Sequence, residues 1–208
     1  MAFDNTEQEQ LDTLRNFWKE NGKSLIAGVL IGLGALFAYQ LWQQNRHAEL
    51  DQASAAYLEM LDNVVLGKWD EVEKGGGVIV GQYADTVYAQ LAALNLATAK
   101  FEQGDKVAAR AHLRWVIDKA DLPELKNMAK LRLAKILIGE GQSEEAIKWL
   151  NEITDASFAS LVSETLGDAY VRSNEPAKAK EAYQKALDTI GEGGSTRQSI
   201  LNLKLENI

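Results

Sequence analysis

Residues 166–186 read LGDAYVRSNEPAKAKEAYQKA, two helical patterns separated by a break at Ser173-Asn174-Glu175-Pro176. A proline close to the start of the second pattern is a helix-start signal, because its missing N–H would be unpaired there anyway. Gly167 on the first pattern is followed twelve positions later by Ala179 on the second, and Tyr183 comes four positions after that. Two small residues let antiparallel helices approach closely, and the larger one fills the next gap between them. The arrangement recurs upstream. Leu133-Ala134, Ala146, Leu150 and Ile153 precede it by 33 residues, and Leu96-Ala97, Ala109, Leu113 and Val116 precede those by 37. Turn signals at Gly104-Asp105 and Gly141-Gln142-Ser143 fall between the two halves of each copy. The reading is a row of stacked helical hairpins.

The last copy, with Leu166, Gly167, Tyr170, Ala179, Tyr183 and Ala186, resembles the tetratricopeptide repeat. The copies beginning at Asn127 and Gln90 follow the pattern less closely, the latter with Lys100 where an apolar residue is usual. Around them the chain is rich in Ala, Leu, Glu, Lys and Gln, and it has only two prolines, Pro123 and Pro176. Its apolar residues recur at three- and four-residue spacing, a helical period. A degenerate first hairpin is predicted over residues 48–83, with Tyr57, Met60, Leu61 and Val64 on one face and Trp69 and Val72 opening the second helix. Gly75-Gly76-Gly77 costs about 3 kcal/mol relative to alanines in a helix interior, so a kink, a frayed turn or a break is expected there unless packing overrides the local preference. After a Gly191-Glu192-Gly193-Gly194 break, Ser195 or Thr196 is expected to cap a closing helix with Ile200, Leu203 and Leu201 turned inward.

Upstream of the hairpins lies SLIAGVLIGLGALFAYQLW, residues 24–42, nineteen positions without a charge. As a helix it reaches about 28 Å, close to the hydrocarbon thickness of a bilayer. Arg15, Lys19 and Lys23 precede it while only Arg46 follows closely, so the Lys/Arg bias predicts a cytoplasmic N-terminus and an exported remainder. Trp18 and Trp42 stand near the two interfaces. A cleaved signal peptide fits poorly: the leader is long and acidic, and the first small-x-small triplet, Ala53-Ser54-Ala55, comes too late. The expected organisation is all-α, with a cytoplasmic segment 1–23, a transmembrane helix 24–42 and a periplasmic tetratricopeptide-like domain 43–208.

Composition narrows the function. The exported part carries 19 Lys/Arg against 25 Asp/Glu, a poor match to nucleic acid, whose phosphates call for clustered cations. There is no cysteine, hence no disulfide and no thiolate chemistry. His47 and His112 are the only histidines and fall in different regions, without the near neighbour a zinc site needs. No nucleophile motif, phosphate loop or dinucleotide fingerprint occurs, so neither an enzyme nor a cofactor is expected.

Binding is what remains. In the span, Gly28 and Gly32 form a small-xxx-small pair, extended by Gly34 and Ala38, of the kind that admits a second transmembrane helix. Projecting the repeat phase places three sets on the concave face formed by the first helices: Leu91, Leu94, Thr98 and Phe101; Met128, Leu131, Lys135 and Ile138; Leu161, Glu164, Asp168 and Val171. The strip is apolar at one end and suits a partner helix or an unfolded segment. Some of these side chains are equally suited to packing between repeats.

Taken in order, Phe17-Trp18-Lys19-Glu20-Asn21-Gly22-Lys23, Ala53-Ser54 with Tyr57 and Met60, Leu131-Arg132-Leu133-Ala134, Leu166-Gly167-Asp168 with Tyr170, and the ending Leu203-Lys204-Leu205-Glu206-Asn207-Ile208 resemble the YfgM-type ancillary subunits of the bacterial Sec translocon. The resemblance covers essentially the whole chain. It implies a single-pass protein of the bacterial inner membrane with a periplasmic tetratricopeptide-like domain. Expected partners are the SecYEG channel, a membrane-anchored periplasmic chaperone of the PpiD type and exported client proteins, and no enzymatic activity is implied. Without the resemblance, a membrane-anchored scaffold for another envelope assembly stands as the alternative.

Overall fold

The computed structural model describes residues 3–190 and 195–208, with backbone alone for residues 3–10, 12 and 195. Among the described residues there are nine α-helices and no strand: α1 Phe3–Val65, α2 Trp69–Gln82, α3 Val87–Glu102, α4 Lys106–Lys119, α5 Pro123–Gly139, α6 Ser143–Asn151, α7 Ala159–Arg172, α8 Pro176–Asp188 and α9 Ser195–Glu206. A short 3-10 turn, Ala156–Phe158, precedes α7. The chain divides into two units, Met1–Asp51 and Gln52–Ile208.

The first unit is helical throughout its described length, and residues 24–42 lie wholly inside α1. Val29, Leu30, Ile31, Leu33, Leu36 and Phe37 are each 59–73% exposed. At about 100° per residue these positions surround the helix, so no polar face is left for water. By length and composition the helix fits a membrane span. A Cβ placed on Gly28, Gly32 or Gly34 meets nothing within 4 Å; Gly28 and Gly32, one turn apart, leave a smooth strip on one side of the helix, and Gly34 lies on the other side.

The second unit is a stack of four hairpins closed by α9. Its periodicity shows most clearly in the turns. Gly67, Gly104, Gly141 and Asn174 all adopt the left-handed conformation, with φ of 66°, 85°, 80° and 58°, and recur at intervals of 37, 37 and 33 residues. Each closes its helix with the same pair of bonds. Lys68 N–H donates to Asn63 O, Asp105 to Lys100 O, Gln142 to Leu137 O and Glu175 to Tyr170 O, at 2.8–2.9 Å, while the left-handed residue itself bonds back three positions. This Schellman closure satisfies the last carbonyls of the helix and needs φ > 0, which glycine accepts freely and asparagine at some cost. The following helices start with their own devices: Asp105 Oδ1 accepts from Ala108 N–H, and Pro123 and Pro176 sit in the first turns of α5 and α8. Thr86 caps α3 by accepting from Ala89 N–H while donating to Tyr83 O.

Inside the hairpins, Ala97, Ala109, Ala134, Ala146, Gly167 and Ala179 are all buried. Leu113 and Leu150 fill the gaps beside them and Tyr183 does so in the last copy. A Cβ on Gly167 would lie 2.3 Å from the Tyr183 ring, so the closeness of α7 and α8 depends on glycine at that position.

Two sequence expectations fail here. The triple glycine does not interrupt its helix: α2 runs unbroken from Trp69 to Gln82. Packing overrides the local preference, because a Cβ on Gly76 would come within 2.8 Å of the Leu96 side chain on α3 and Gly75 passes beside Met60. Gly76 stands one repeat before Leu113 and two before Leu150, so the first hairpin inverts the volumes, with large Met60 where its successors carry Ala97 and Ala134. In α9 the inward face is also different. Leu201 is fully buried and Leu205 packs beside it, whereas Ile200 and Leu203 are 44% and 58% exposed. The face is set by Arg197 and Lys204, which share it with Leu201 and bond to α7. The Gly191–Gly194 break lies outside the described residues, as does the side chain of Ser195 and with it any cap bond from that residue.

Candidate partner-binding groove

The first helices of successive hairpins, α3, α5 and α7, stand side by side, and the repeat phase puts Leu91, Met128 and Leu161 at equivalent positions along them. The same holds for Leu94, Leu131 and Glu164, for Thr98, Lys135 and Asp168, and for Phe101, Ile138 and Val171. The structure divides this strip into three kinds of residue. Leu94 and Leu131 are only 3% and 6% exposed and belong to the main core cluster. Their assignment to an open groove is therefore corrected: both side chains are taken up in the core between neighbouring helices and keep almost no free surface. Leu91, Ile138 and Leu161 are half-buried against the same core. Phe101, Met128 and Val171 are exposed, at 44%, 36% and 50%, and Lys135 is exposed beside them.

Glu164 and Asp168 are already engaged within the chain. Arg197 donates to Glu164 Oε2 at 2.9 Å, and Lys204 donates to Glu164 Oε1 at 3.0 Å and to Asp168 Oδ1 at 2.7 Å. Tyr183 Oη adds a 2.6 Å bond to Asp168. Burial by itself would raise the Glu164 carboxyl, but the bonds from Arg197 and Lys204 outweigh it and hold the group below its ordinary range. Burial opposes the Lys204 ammonium in the same way, and its bonds to Asp168 and Glu164 raise it. Burial, reinforced by the Asp168 carboxylate, pushes the Tyr183 phenol upward, so it remains a donor. At the C-terminal end, then, α9 covers the polar part of the strip.

At the other end a cavity of about 200 Å³ opens between α3, α4 and α5. Its walls are Phe101, Leu113 and Ile136, with Thr98, Arg132 and Lys135 supplying the polar edge. Arg132 is half-buried, and its guanidinium donates to Leu94 O at 3.2 Å and to Thr98 Oγ1 at 3.4 Å. Burial lowers its affinity for the proton without discharging it. Sequence projection missed Arg132 because it lies one position off the strip. The available signal was its place in the repeat: Asn95 and Thr165, the equivalent residues, are uncharged.

Catalytic chemistry has little to work with here. His47 is exposed and belongs to the first unit, while His112 is half-buried, with burial and then Lys100 lowering its pKa. Among the described residues no group of three metal-ligating side chains forms.

Comparison with known proteins agrees with this architecture. A tetratricopeptide repeat-like domain matches residues 15–208. The chain is 29% identical over 210 residues, the whole of both chains, to the Haemophilus influenzae ancillary SecYEG translocon subunit. It is 28% identical over 210 residues, again the whole of both, to the protein of that name from Neisseria gonorrhoeae. Against the Escherichia coli K12 protein of the same name the identity is 28% over 181 residues, 87% of each chain. The chain therefore belongs to the tetratricopeptide repeat-like domain family, and the proteins it resembles from end to end are ancillary subunits of the SecYEG translocon.

Proposed function

We propose that this protein is a non-enzymatic adaptor of the Sec translocon in the bacterial inner membrane, passing exported proteins to a membrane-anchored periplasmic chaperone of the PpiD type. The observation that carries the reading is the end-to-end similarity to proteins named as SecYEG ancillary subunits. An apolar helix exposed on all sides and a repeat stack with an open apolar patch are the features such an adaptor calls for. In this reading residues 24–42 cross the bilayer with residues 1–23 in the cytoplasm. The smooth strip at Gly28 and Gly32 lies against a transmembrane helix of the channel, and Gly34 offers a second point of close approach on the other side. Residues 43–208 work in the periplasm, with Phe101, Met128, Lys135 and the half-buried Leu91, Ile138 and Leu161 toward chaperone or client.

The test is photo-crosslinking in native membranes from a reactive residue at position 32 and, separately, at position 101. Position 32 is expected to trap a channel subunit and position 101 a periplasmic chaperone or an exported chain. Replacing Gly28 and Gly32 together with leucine is expected to weaken copurification with SecYEG while insertion continues. Trapping only components of another envelope assembly overturns the reading in favour of a scaffold elsewhere.

A further inference from the structure

Cations bridge neighbouring helices at two junctions of this array, α9 to α7 and α5 to α3, and the two bridges differ in one respect. Between α9 and α7, Arg197 and Lys204 reach Glu164 and Asp168. Between α5 and α3, Arg132 reaches Leu94 and Thr98, the residues that occupy the positions of Glu164 and Asp168 two repeats earlier. The α7–α9 junction thus offers its cations two carboxylates, and the α3–α5 junction offers a carbonyl and a hydroxyl. Among the described residues no carboxylate lies within 4 Å of Arg132 or of Lys135, although acidic residues outnumber basic ones by eight over the whole chain. A half-buried guanidinium has given up part of its hydration, and two neutral acceptors replace only part of what an ionised partner would supply.

The space beside this cation has a definite size. An apolar cavity of about 150 Å³ is enough for benzene. The pocket here, at about 200 Å³, is therefore sized for one phenyl ring or branched aliphatic side chain and not for a lipid acyl chain. Phe101 forms its exposed lip, Leu113 and Ile136 its floor, and Arg132 and Lys135 lie along one edge.

We propose that the pocket between α3 and α5 binds a partner polypeptide through a pair of side chains, an aromatic or branched aliphatic one in the cavity and an aspartate or glutamate on Arg132 and Lys135. The inference rests on the reading that this face receives a partner and adds the chemistry that selects it. The apolar side chain supplies burial. The carboxylate supplies direction and discrimination, because its planar pair of oxygens matches the guanidinium fork while an amide or an amine does not. An acidic segment has no general attraction to so acidic a protein, which makes the local cation pair decisive for choosing it.

The experiment uses the full chain in nanodiscs of zwitterionic lipid, laid over an array of synthetic peptides in a constant Gly/Ser frame. Each peptide carries one residue pair, covering all pairings at separations of one to four. Peptides combining Asp or Glu with Phe, Trp, Leu or Ile are expected to retain the protein at least tenfold more strongly than counterparts with Gln for Glu or Ala for the apolar residue. Arg132→Met is expected to abolish the acidic preference and Phe101→Ala the apolar one. Lys135 is exposed, so Lys135→Glu serves as the charge test should Arg132→Met fold poorly. It is expected to weaken acidic peptides and to favour lysine-containing ones. Retention by no peptide, retention that ignores the acidic residue, or an unchanged profile in both charge variants overturns the proposal. So does loss of all retention in nanodiscs of anionic lipid, which would assign the cations to headgroups. The array reports on the purified chain alone, so failure to crosslink to the channel in membranes would refute the adaptor reading and leave the pocket result standing.

Discussion

Replacing Gly167 with alanine is expected to destabilise the α7–α8 hairpin by about 2–4 kcal/mol, the opposite of what helix propensity dictates. In a helix interior alanine is favoured over glycine by about 1 kcal/mol. Against this stands the Tyr183 ring, 2.3 Å from where the new Cβ must go. Tyr183 is 3% exposed and its hydroxyl is bonded to Asp168 at 2.6 Å, so the ring has nowhere to retreat without giving up that bond. Overpacking of this kind costs about 1–3 kcal/mol and a lost hydrogen bond to a charged group about 1.5–3 kcal/mol, which together exceed the propensity gain. Native-state hydrogen exchange on the full chain is the assay. Amides of α7 and α8 are expected to open about 30- to 1,000-fold more often, while those of α3 and α4 change little, because stability in stacked repeats is largely local. Two companions sharpen the result. Gly139 in α5 has nothing within 4 Å of its would-be Cβ, so Gly139→Ala is expected to stabilise by up to about 1 kcal/mol. Gly167→Ala with Tyr183→Leu rebuilds the Ala134 and Leu150 pairing of the preceding hairpin and is expected to recover part of the loss. If Gly167→Ala behaves like Gly139→Ala, the close-approach argument is refuted.

Leu131→Ala is expected to cost about 2–5 kcal/mol by thermal melting, as befits a leucine in the core between neighbouring helices, whereas Phe101→Glu is expected to stay within about 0.5 kcal/mol; equal losses would return Leu131 to the open surface. The docking of α9 is expected to depend on pH. The folded Glu164 pKa is lowered, so its stabilising contribution is complete above the ordinary value of 4.5 and is lost as pH falls through the depressed value. The folded Lys204 pKa is raised, so its contribution is complete below 10.5 and is lost as pH rises through the higher value. Exchange of α9 amides measured across pH, with Glu164→Gln flattening the acid limb, checks this; a wild-type profile without an acid limb contradicts it. Protease added to intact spheroplasts is expected to digest residues 43–208, and their protection until the membrane is broken would reverse the proposed orientation.

The sequence made the last three hairpins legible because their small and large residues repeat in a fixed order and their turns carry Gly104, Gly141 and Asn174. The first hairpin obscured itself by exchanging volumes, with Met60 in the small position and Gly76 in the large one, so that only its turn at Gly67 kept the common pattern. Local propensity misjudged Gly75–Gly77 because it weighs each glycine against water, and Gly76 faces Leu96. In the candidate groove, phase alone located Phe101, Met128 and Lys135 on the surface, but it had no means of separating them from Leu94 and Leu131, which are taken up in the core between neighbouring helices. Glu164 and Asp168 looked open for a different reason. Their partners, Arg197 and Lys204, lie 33–40 residues away in a helix whose inward face an apolar pattern did not identify.

The exchange of Met60 for Gly76 has a bearing on how the array is assembled during synthesis. In the later hairpins the bulk that closes the pair arrives with the second helix, so each of those first helices waits for its successor. In the first hairpin the bulk is carried by α1, the helix that also holds residues 24–42, and it is already in place when the smooth stretch of α2 emerges. Met60 on α1 therefore offers the first packing surface of the stack, and closure is expected to proceed from it hairpin by hairpin in the order of translation, ending when Arg197 and Lys204 fasten α9. A chain shortened to begin beyond Met60 would lose that starting surface and leave Gly75 without the side chain it packs beside, although every residue of the three regular repeats would still be present.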